Sequence, residues 1–261
     1  MELATAQWTA IVLAGQRPGS DPLASHFGEQ FKARVRLGGE TMLGGVLAAL
    51  SRTPEIARIV VLAQDEAVLA GISCGDKVRF VASSSGISSS IAAVAGGADA
   101  PWPVLITTAD HPLLTPAIVS HFLSASTGCD LAVGLVERRT LEAAYPANRR
   151  TWLRFRDGDW SGANLFALNG AAARGALDVW SRAEQDRKSA WRLFLHFGPW
   201  LCLRALTRTI GLAEGLAKAG GRLGLTARLV ALPFAEAAID VDKPSDHALA
   251  ELILARRVGR A

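Results

Sequence analysis

The chain has 261 residues, half of them hydrophobic and one fifth charged, with a formal net charge of +4. That is ample apolar material for a large core and excludes disordered and fibrous classes; the longest uncharged stretch, 80–98, is broken by Ser and Gly, which excludes a spanning helix there. Residues 1–130 carry 8 basic and 11 acidic side chains, and residues 131–261 carry 20 and 13. The positive excess in the second half lacks the aromatic interleaving of a nucleic-acid surface, so no nucleic-acid partner is expected.

In chain order, residues 9–14 (TAIVLA), 58–63 (RIVVLA), 78–81, 104–108 (VLITT) and 131–136 are short apolar runs. Most lack polar alternation, as strands covered on both faces do. Between them, 41–52, 64–70, 88–95 and 116–126 read as helices, the last with Pro116 in its first turn and Thr115 as cap. Strand and helix alternating at this pace predict an α/β fold with a doubly wound, mostly parallel sheet. Residues 151–156 and 164–168 then read as strands flanking the turn dipeptide Asp157-Gly158. The stretch 170–222 reads as amphipathic helices, with Trp191 and Trp200 expected in the core. Residues 226–232 and 238–241 return to strand, and 245–258 closes as a helix. Without repeat, low-complexity tract or long linker, one domain over 1–261 with a helical insertion at about 170–222 is the expectation.

Three segments carry candidate chemistry. The first strand runs into Leu13-Ala14-Gly15-Gln16-Arg17, with Lys32 further on. A glycine after a buried strand lets backbone N–H groups approach a phosphate, although an ordinary strand-to-loop turn has the same pattern. Asp110 stands just past the 104–108 strand, at the sheet edge where open α/β folds bind ligands. A carboxylate there suits Mg²⁺, which takes one or two carboxylates and shares substrate phosphates; the alternative is a turn cap before Pro112. Asp240 and Asp242 share a face if 238–241 is a strand, and either hold a cation or cap the next helix. Asp246 falls in that helix's first turn, where the dipole favours an acid.

Taken together, these segments resemble the MobA-like nucleotidyltransferase (NTP transferase) family, which includes the molybdenum-cofactor nucleotidyltransferases and the methylerythritol-phosphate cytidylyltransferases. The resemblance rests on the strand ending Leu13-Ala14-Gly15, on Arg17, and on Lys32 in the segment running to Leu43. It continues through residues 83–91 (SSSGISSSI), the Asp110-His111-Pro112-Leu113-Leu114 box and the Asp240-Val241-Asp242-Lys243-Pro244-Ser245-Asp246 box. It covers roughly 8–136 and 226–258, and the stretch 170–222 has no counterpart in it. Gln16 stands where the family commonly carries Gly or Ala, and sixteen residues separate Gly15 from Lys32, a longer gap than usual.

The resemblance implies a Rossmann-like sheet of the nucleotide-diphospho-sugar transferase type. It implies a nucleoside triphosphate over the first loop, touching Leu13, Ala14, Gly15 and Gln16, with Ser83, Gly86 and Ser90 toward the base. Arg17 and Lys32 would neutralise the triphosphate, Asp110 would bind Mg²⁺, and Asp240 would be a second ligand or a polar residue of the active site. Asn164 would reach the acceptor or the metal, and Lys188 and Arg192 are candidates for an anionic acceptor, a solvated helix face being the plainer account of both. The implied reaction is attack by a substrate phosphate on the α-phosphorus of CTP or GTP with release of pyrophosphate. An anionic nucleophile needs no general base, so charge neutralisation and positioning carry the catalysis. His111 is accordingly expected to be structural, as are the other histidines. A nucleotide-sugar glycosyltransferase would carry an Asp-x-Asp box where Asp110-His111-Pro112 stands; a catalytically lapsed nucleotide-binding protein and a peripheral membrane contact through the basic helices of 187–222 are further alternatives. Three widely spaced cysteines, Cys74, Cys129 and Cys202, without a Cys-x-x-Cys pair, and an N-terminus unlike a secretory signal point to buried, reduced thiols in a cytoplasmic protein. Oligomeric state is not encoded in any of these patterns.

Overall fold

The first apolar run becomes β1 (Trp8–Leu13) in the computed structural model, which describes residues 7–16, 19–84, 86–146, 148, 150–185 and 198–259. β1 lies between two parallel neighbours, β4 (Ile56–Ala63) and β6 (Val104–Thr108), with Leu13 opposite both Leu62 and Thr108. β5 (Val78–Ala82) extends the sheet beyond β4. On the other side lie β9 (Gly158–Leu168), β7 (Leu131–Glu137) and β10 (Ala227–Ala231), giving the order β10-β7-β9-β6-β1-β4-β5. β9 runs antiparallel to both β6 and β7, and β8 (Leu153–Phe155) pairs with it as a hairpin. The remaining pairs along this path are parallel.

Alternation along the central strands feeds two apolar layers. Ala10 and Val12 of β1, with Leu105 of β6, pack into one; Ile11 and Ile106 pack into the other. The first layer is closed by α2 (Met42–Ser51), α4 (Pro116–Ala125) and α9 (Pro244–Val258), through Met42, Val46, Phe122 and Ile253. The second is closed by α3 (Ile87–Val94) and α6 (Arg174–Gln185), through Ile91 and Leu177. A Val, Leu or Ile side chain so buried contributes about 1.5–3 kcal/mol. The helix starts follow local chemistry: Thr41 Oγ1 accepts from the Gly44 N–H at 2.9 Å, and Thr115 Oγ1 accepts from Ile118 at 3.3 Å with Pro116 following.

Several expectations are corrected. Residues 238–241 form no strand: a 3₁₀ turn, Ala235–Ala238, takes up their start, and the chain beyond it lends β6's end one bond, from the Val241 N–H to the Asp110 carbonyl at 2.9 Å. The anticipated helix at 64–70 is a 3₁₀ turn, Glu66–Leu69. Short elements that the periodicity did not reveal are α1 (Pro22–His26), capped by Asp21, the hairpin β2 (Arg36–Leu37) and β3 (Glu40–Thr41), and α5 (Arg138–Ala144). The described part of 170–222 holds three α-helices, α6, α7 (Pro199–Leu206) and α8 (Leu212–Arg222), with a turn at 207–211 between the last two. Trp200 is 68% exposed rather than core, because α7 buries none of its residues; Trp191 lies outside the described residues. Cys129 is buried as expected, Cys202 is half-buried and Cys74 is exposed. Among the described residues no helix is long and apolar enough to cross a membrane.

Candidate active site

Parallel strands place their C-terminal ends on one edge, and the chain leaves β1, β4 and β6 there together. After β1, the Ala14 N–H bonds the Leu62 carbonyl at 2.9 Å, and the Ala109 N–H bonds the Leu13 carbonyl at 3.0 Å. Gly15 follows, and a Cβ on it would stand 3.0 Å from the Gln64 amide, so the glycine admits that close packing. Gln64 then clamps Gln16 by two bonds: the Gln16 N–H donates to Gln64 Oε1 and Gln64 Nε2 donates to the Gln16 carbonyl, each at 3.1 Å. The Gln16 side chain in turn donates to the Gln30 carbonyl at 3.2 Å and accepts from the Lys32 N–H at 3.3 Å. Gln16, the departure from the family pattern, thereby ties the first loop to the segment bearing Lys32. Arg17 lies outside the described residues.

Lys32 is the centre of the site's charge. Its Nζ donates to Asp110 Oδ2 at 2.8 Å and forms a close ion pair with Asp242 Oδ1. Asp240, one residue before Val241, is paired with Arg150, whose guanidinium also donates to the Ala238 carbonyl. Three carboxylates and two cations thus meet at the edge, brought together from positions 32, 110, 150 and 240–242. Lys32 is pulled in opposite directions: burial lowers its pKa, but the charges and hydrogen bonds of Asp110 and Asp242 win and raise it. For Asp110, burial alone would push the carboxyl up; Lys32, with help from the Thr108 hydroxyl, holds it below the usual range. Burial raises the Asp240 carboxyl, with Arg150 opposing and the charges of Asp242 and Asp110 adding to the rise. His111 packs behind, fully buried; burial brings its pKa down to about 4, so it is a neutral wall.

Whether Mg²⁺ suits these residues turns on the donors they offer. Among the described residues no group of three or more His, Cys, Asp or Glu side chains forms a metal cage. Asp110 Oδ1, however, is buried without a hydrogen-bond partner among the described residues, and the charges of Asp242 and Asp110 both bear on Asp240, a repulsion that a divalent cation would relieve. One or two carboxylates completed by phosphates is a Mg²⁺ donor set, and the residues fit it.

The remaining candidates fall as follows. Ser83 enters the same edge from β5, its N–H on the Ala63 carbonyl at 2.8 Å and its Oγ buried without a partner among the described residues. Gly86 starts α3 without a side-chain cap. Ser90 is buried and spends its hydroxyl locally, donating to the Gly86 carbonyl at 2.6 Å and accepting from the Ser84 N–H at 2.9 Å; it shapes this loop. Asn164 sits in β9 two residues beyond the Ile106–Phe166 pair, with φ 50°, a left-handed conformation. Asn tolerates that region, and the place is where β9's register against β7 shifts. Lys188 and Arg192 lie outside the described residues. Gln64 and Arg150 were not singled out from the sequence; their partners lie 48 and about 90 positions away in the chain, and no local pattern marks them.

Comparison with known proteins agrees with this geometry. Residues 10–218 match the family model described as the MobA-like NTP transferase domain. That match runs into the helical stretch which the motifs left unplaced. No curated protein is significantly similar to the chain. Among solved structures, a hypothetical transferase from Thermus thermophilus is 29% identical, covers 92% of this chain and 99% of its own, and superposes with a TM-score of 0.75. The 4-diphosphocytidyl-2C-methyl-D-erythritol synthase of Anaerococcus prevotii is 12% identical over 97% of this chain and 100% of its own, with a TM-score of 0.56. A CMP:2-keto-3-deoxy-manno-octonic acid synthetase complexed with CTP is 14% identical over the same shares, with a TM-score of 0.57. The last two share the fold.

Proposed function

The chain belongs to the MobA-like NTP transferase family and is a nucleotidyltransferase, and from that premise we propose that it moves a nucleoside monophosphate from CTP or GTP to a phosphorylated small molecule, with Mg²⁺ as cofactor. The observation that carries this reading is Lys32 held between Asp110 and Asp242, with its N–H on the Gln16 side chain of the first loop. The backbone of the first loop, which Gly15 lets pack against Gln64, receives the triphosphate. Lys32, and Arg17 in the proposal, neutralise charge on its β- and γ-phosphates as the leaving group departs. An oxygen of the acceptor phosphate bonds to the α-phosphorus, the α–β bridging P–O bond breaks, and pyrophosphate carries away its electron pair. Asp110 and Asp240 would hold Mg²⁺, which supplies charge neutralisation across the phosphates when bound. Asp110 otherwise fixes the Lys32 ammonium in line with the loop, and neutral His111 excludes water behind it. We place the enzyme in the cytoplasm on its cysteine usage.

The test is pyrophosphate release from each nucleoside triphosphate with Mg²⁺ across a panel of phosphorylated acceptors. The expected result is turnover with CTP or GTP that falls by about 10²-fold or more in Asp110→Ala, the scale of losing a charge-stabilising group, while the melting temperature changes little. Undiminished turnover in that variant would overturn the site assignment. Saturable triphosphate binding with no release on any acceptor would favour a lapsed enzyme.

A further inference from the structure

A second concavity opens beside the carboxylate cluster, and the residues discussed so far do not use it. This groove of about 520 Å³ lies between the end of α5 with the turn after it and the exposed flank of α9. That size is within the range of small-molecule sites. Its polar lining is dominated by donors without acceptors. Lys243 and Arg256 have no side-chain hydrogen bond or ion pair among the described residues. Asn148 Nδ2, enclosed by its neighbours, also lacks a partner among the described residues. Such a donor costs free energy until something accepts from it. The carboxylate of the lining, Asp246, is almost fully buried and accepts the Asp242 N–H at 3.2 Å, and the Tyr145 hydroxyl donates to Glu236 at 2.8 Å. The groove therefore offers unspent positive charge against one carboxylate already engaged. Leu249 and Leu252, the latter 49% exposed, add an apolar wall, which suits an organic anion better than a bare ion.

Both walls lead straight to the reacting centre. Lys243 follows Asp242, the partner of Lys32, and Asn148 lies two residues before Arg150, the partner of Asp240. Arg256 stands about three and a half turns further along α9, roughly 20 Å of rise, at the far end of the same groove, its side chain leaning back toward the N-terminus. We propose that this groove is the acceptor site of the transferase: Lys243 seats the phosphate of a small organic phosphate monoester, its carbon skeleton lies on Leu249 and Leu252, and Arg256 pairs with a further anionic group on it. The proposal rests on the nucleotidyltransferase reading and moves the acceptor from the expected Lys188 and Arg192 to the C-terminal helix.

The test is calorimetry on the full chain with inorganic phosphate and glycerol 3-phosphate as probes and glycerol as the uncharged control. Lys243→Met/Arg256→Gln changes two exposed side chains, and circular dichroism and melting confirm its fold; Lys32→Met reports on phosphate seated at the triphosphate loop instead. Both phosphates are expected to bind the wild type and Lys32→Met, and to lose about tenfold or more in the double variant, the scale of charge-assisted bonds. Binding of Mg²⁺ with nucleoside triphosphate should fall by less than phosphate binding does in the double variant, because neither Lys243 nor Arg256 pairs with Lys32, Asp110 or Asp240 among the described residues. Equal phosphate affinity in the double variant, loss in Lys32→Met alone, or binding of glycerol as tight as glycerol 3-phosphate would overturn the groove. Absence of triphosphate binding by the wild type, with the phosphate pattern intact, would overturn the acceptor role through failure of the underlying reading, and is distinguishable from the other outcomes.

Discussion

Arg150 and Gln64 organise the site from outside its motifs. Arg150 is 12% exposed and Asp240 26%, so their ion pair lies between a surface pair of little worth and a buried pair whose disruption strands a charge. Arg150→Met leaves Asp240 facing Asp242 and Asp110 without a counter-charge and frees the Ala238 carbonyl. It should lower stability by about 1–3 kcal/mol in urea unfolding; unchanged stability would show that the pair does not anchor the 238–242 segment. Gln64 acts on the other side. It holds the Gln16 backbone through two bonds without facing the carboxylates. Gln64→Ala should therefore raise KM for the triphosphate several-fold and leave kcat nearly unchanged, since it loosens a binding loop while Lys32 and Asp110 stay paired. A fall in kcat at constant KM would assign Gln64 a part in the chemistry.

At the scale of elements, β7 and β10 are pinned where both begin. Asp130 Oδ2 accepts from the Thr226 N–H and Oγ1, each at 2.7 Å, while the Asp130 N–H donates back to the Thr226 carbonyl at 2.9 Å. The bonds from the Thr226 backbone and hydroxyl hold the Asp130 carboxyl below its usual range. A carboxyl depressed in the folded state stabilises fully above its unfolded pKa, near 3.9, and that contribution is lost as pH falls through the folded value. Asp130→Ala should cost about 1 kcal/mol at pH 7, and the gap to wild type should shrink on acidification below about pH 4. A gap independent of pH would mean that the ionised carboxylate is not what pins the strands. The strands themselves were legible because burial on both faces demands unbroken apolar runs: 104–108 is β6 to the residue, and 9–14 and 58–63 differ from β1 and β4 at their ends alone. Thr115 and Pro116 announced α4 through local chemistry. Residues 238–241 misled because Ile239 and Val241 are apolar through packing under α9 and the sheet, both almost wholly buried, with no neighbouring strand to pair. The candidate site was legible where one residue type at a sheet edge suffices, as at Asp110. It was illegible where a role depends on a distant partner, as for Gln64, Arg150 and the donors of the α9 groove.

Across the whole molecule, the site is a meeting of segments that share no local structure: the first loop, the 3₁₀ turn Lys32–Arg34, the end of β6 and the entry to α9. The last two are joined by the backbone bond from Val241 to Asp110 and by Lys32, which pairs with both Asp110 and Asp242. A ligand that touches all of them ties the C-terminal residues to the first strand, so its binding energy becomes stability of the fold. At a hundred-fold excess over Kd that linkage is about 2.7 kcal/mol, and in a chain of this size each kcal/mol moves Tm by about 2–4 °C. CTP or GTP with Mg²⁺ should therefore raise Tm by about 5–10 °C, and the other triphosphates by less. Omitting Mg²⁺ should remove most of the shift, because triphosphate charge then faces Asp110, Asp240 and Asp242 with Lys32 already engaged by two of them. Asp110→Ala should make the shift insensitive to Mg²⁺ while preserving a residual one through Lys32 and the Gly15 backbone. A full shift in the wild type without Mg²⁺ would take the metal out of the proposed site, since three carboxylates beside a triphosphate would then need no further cation.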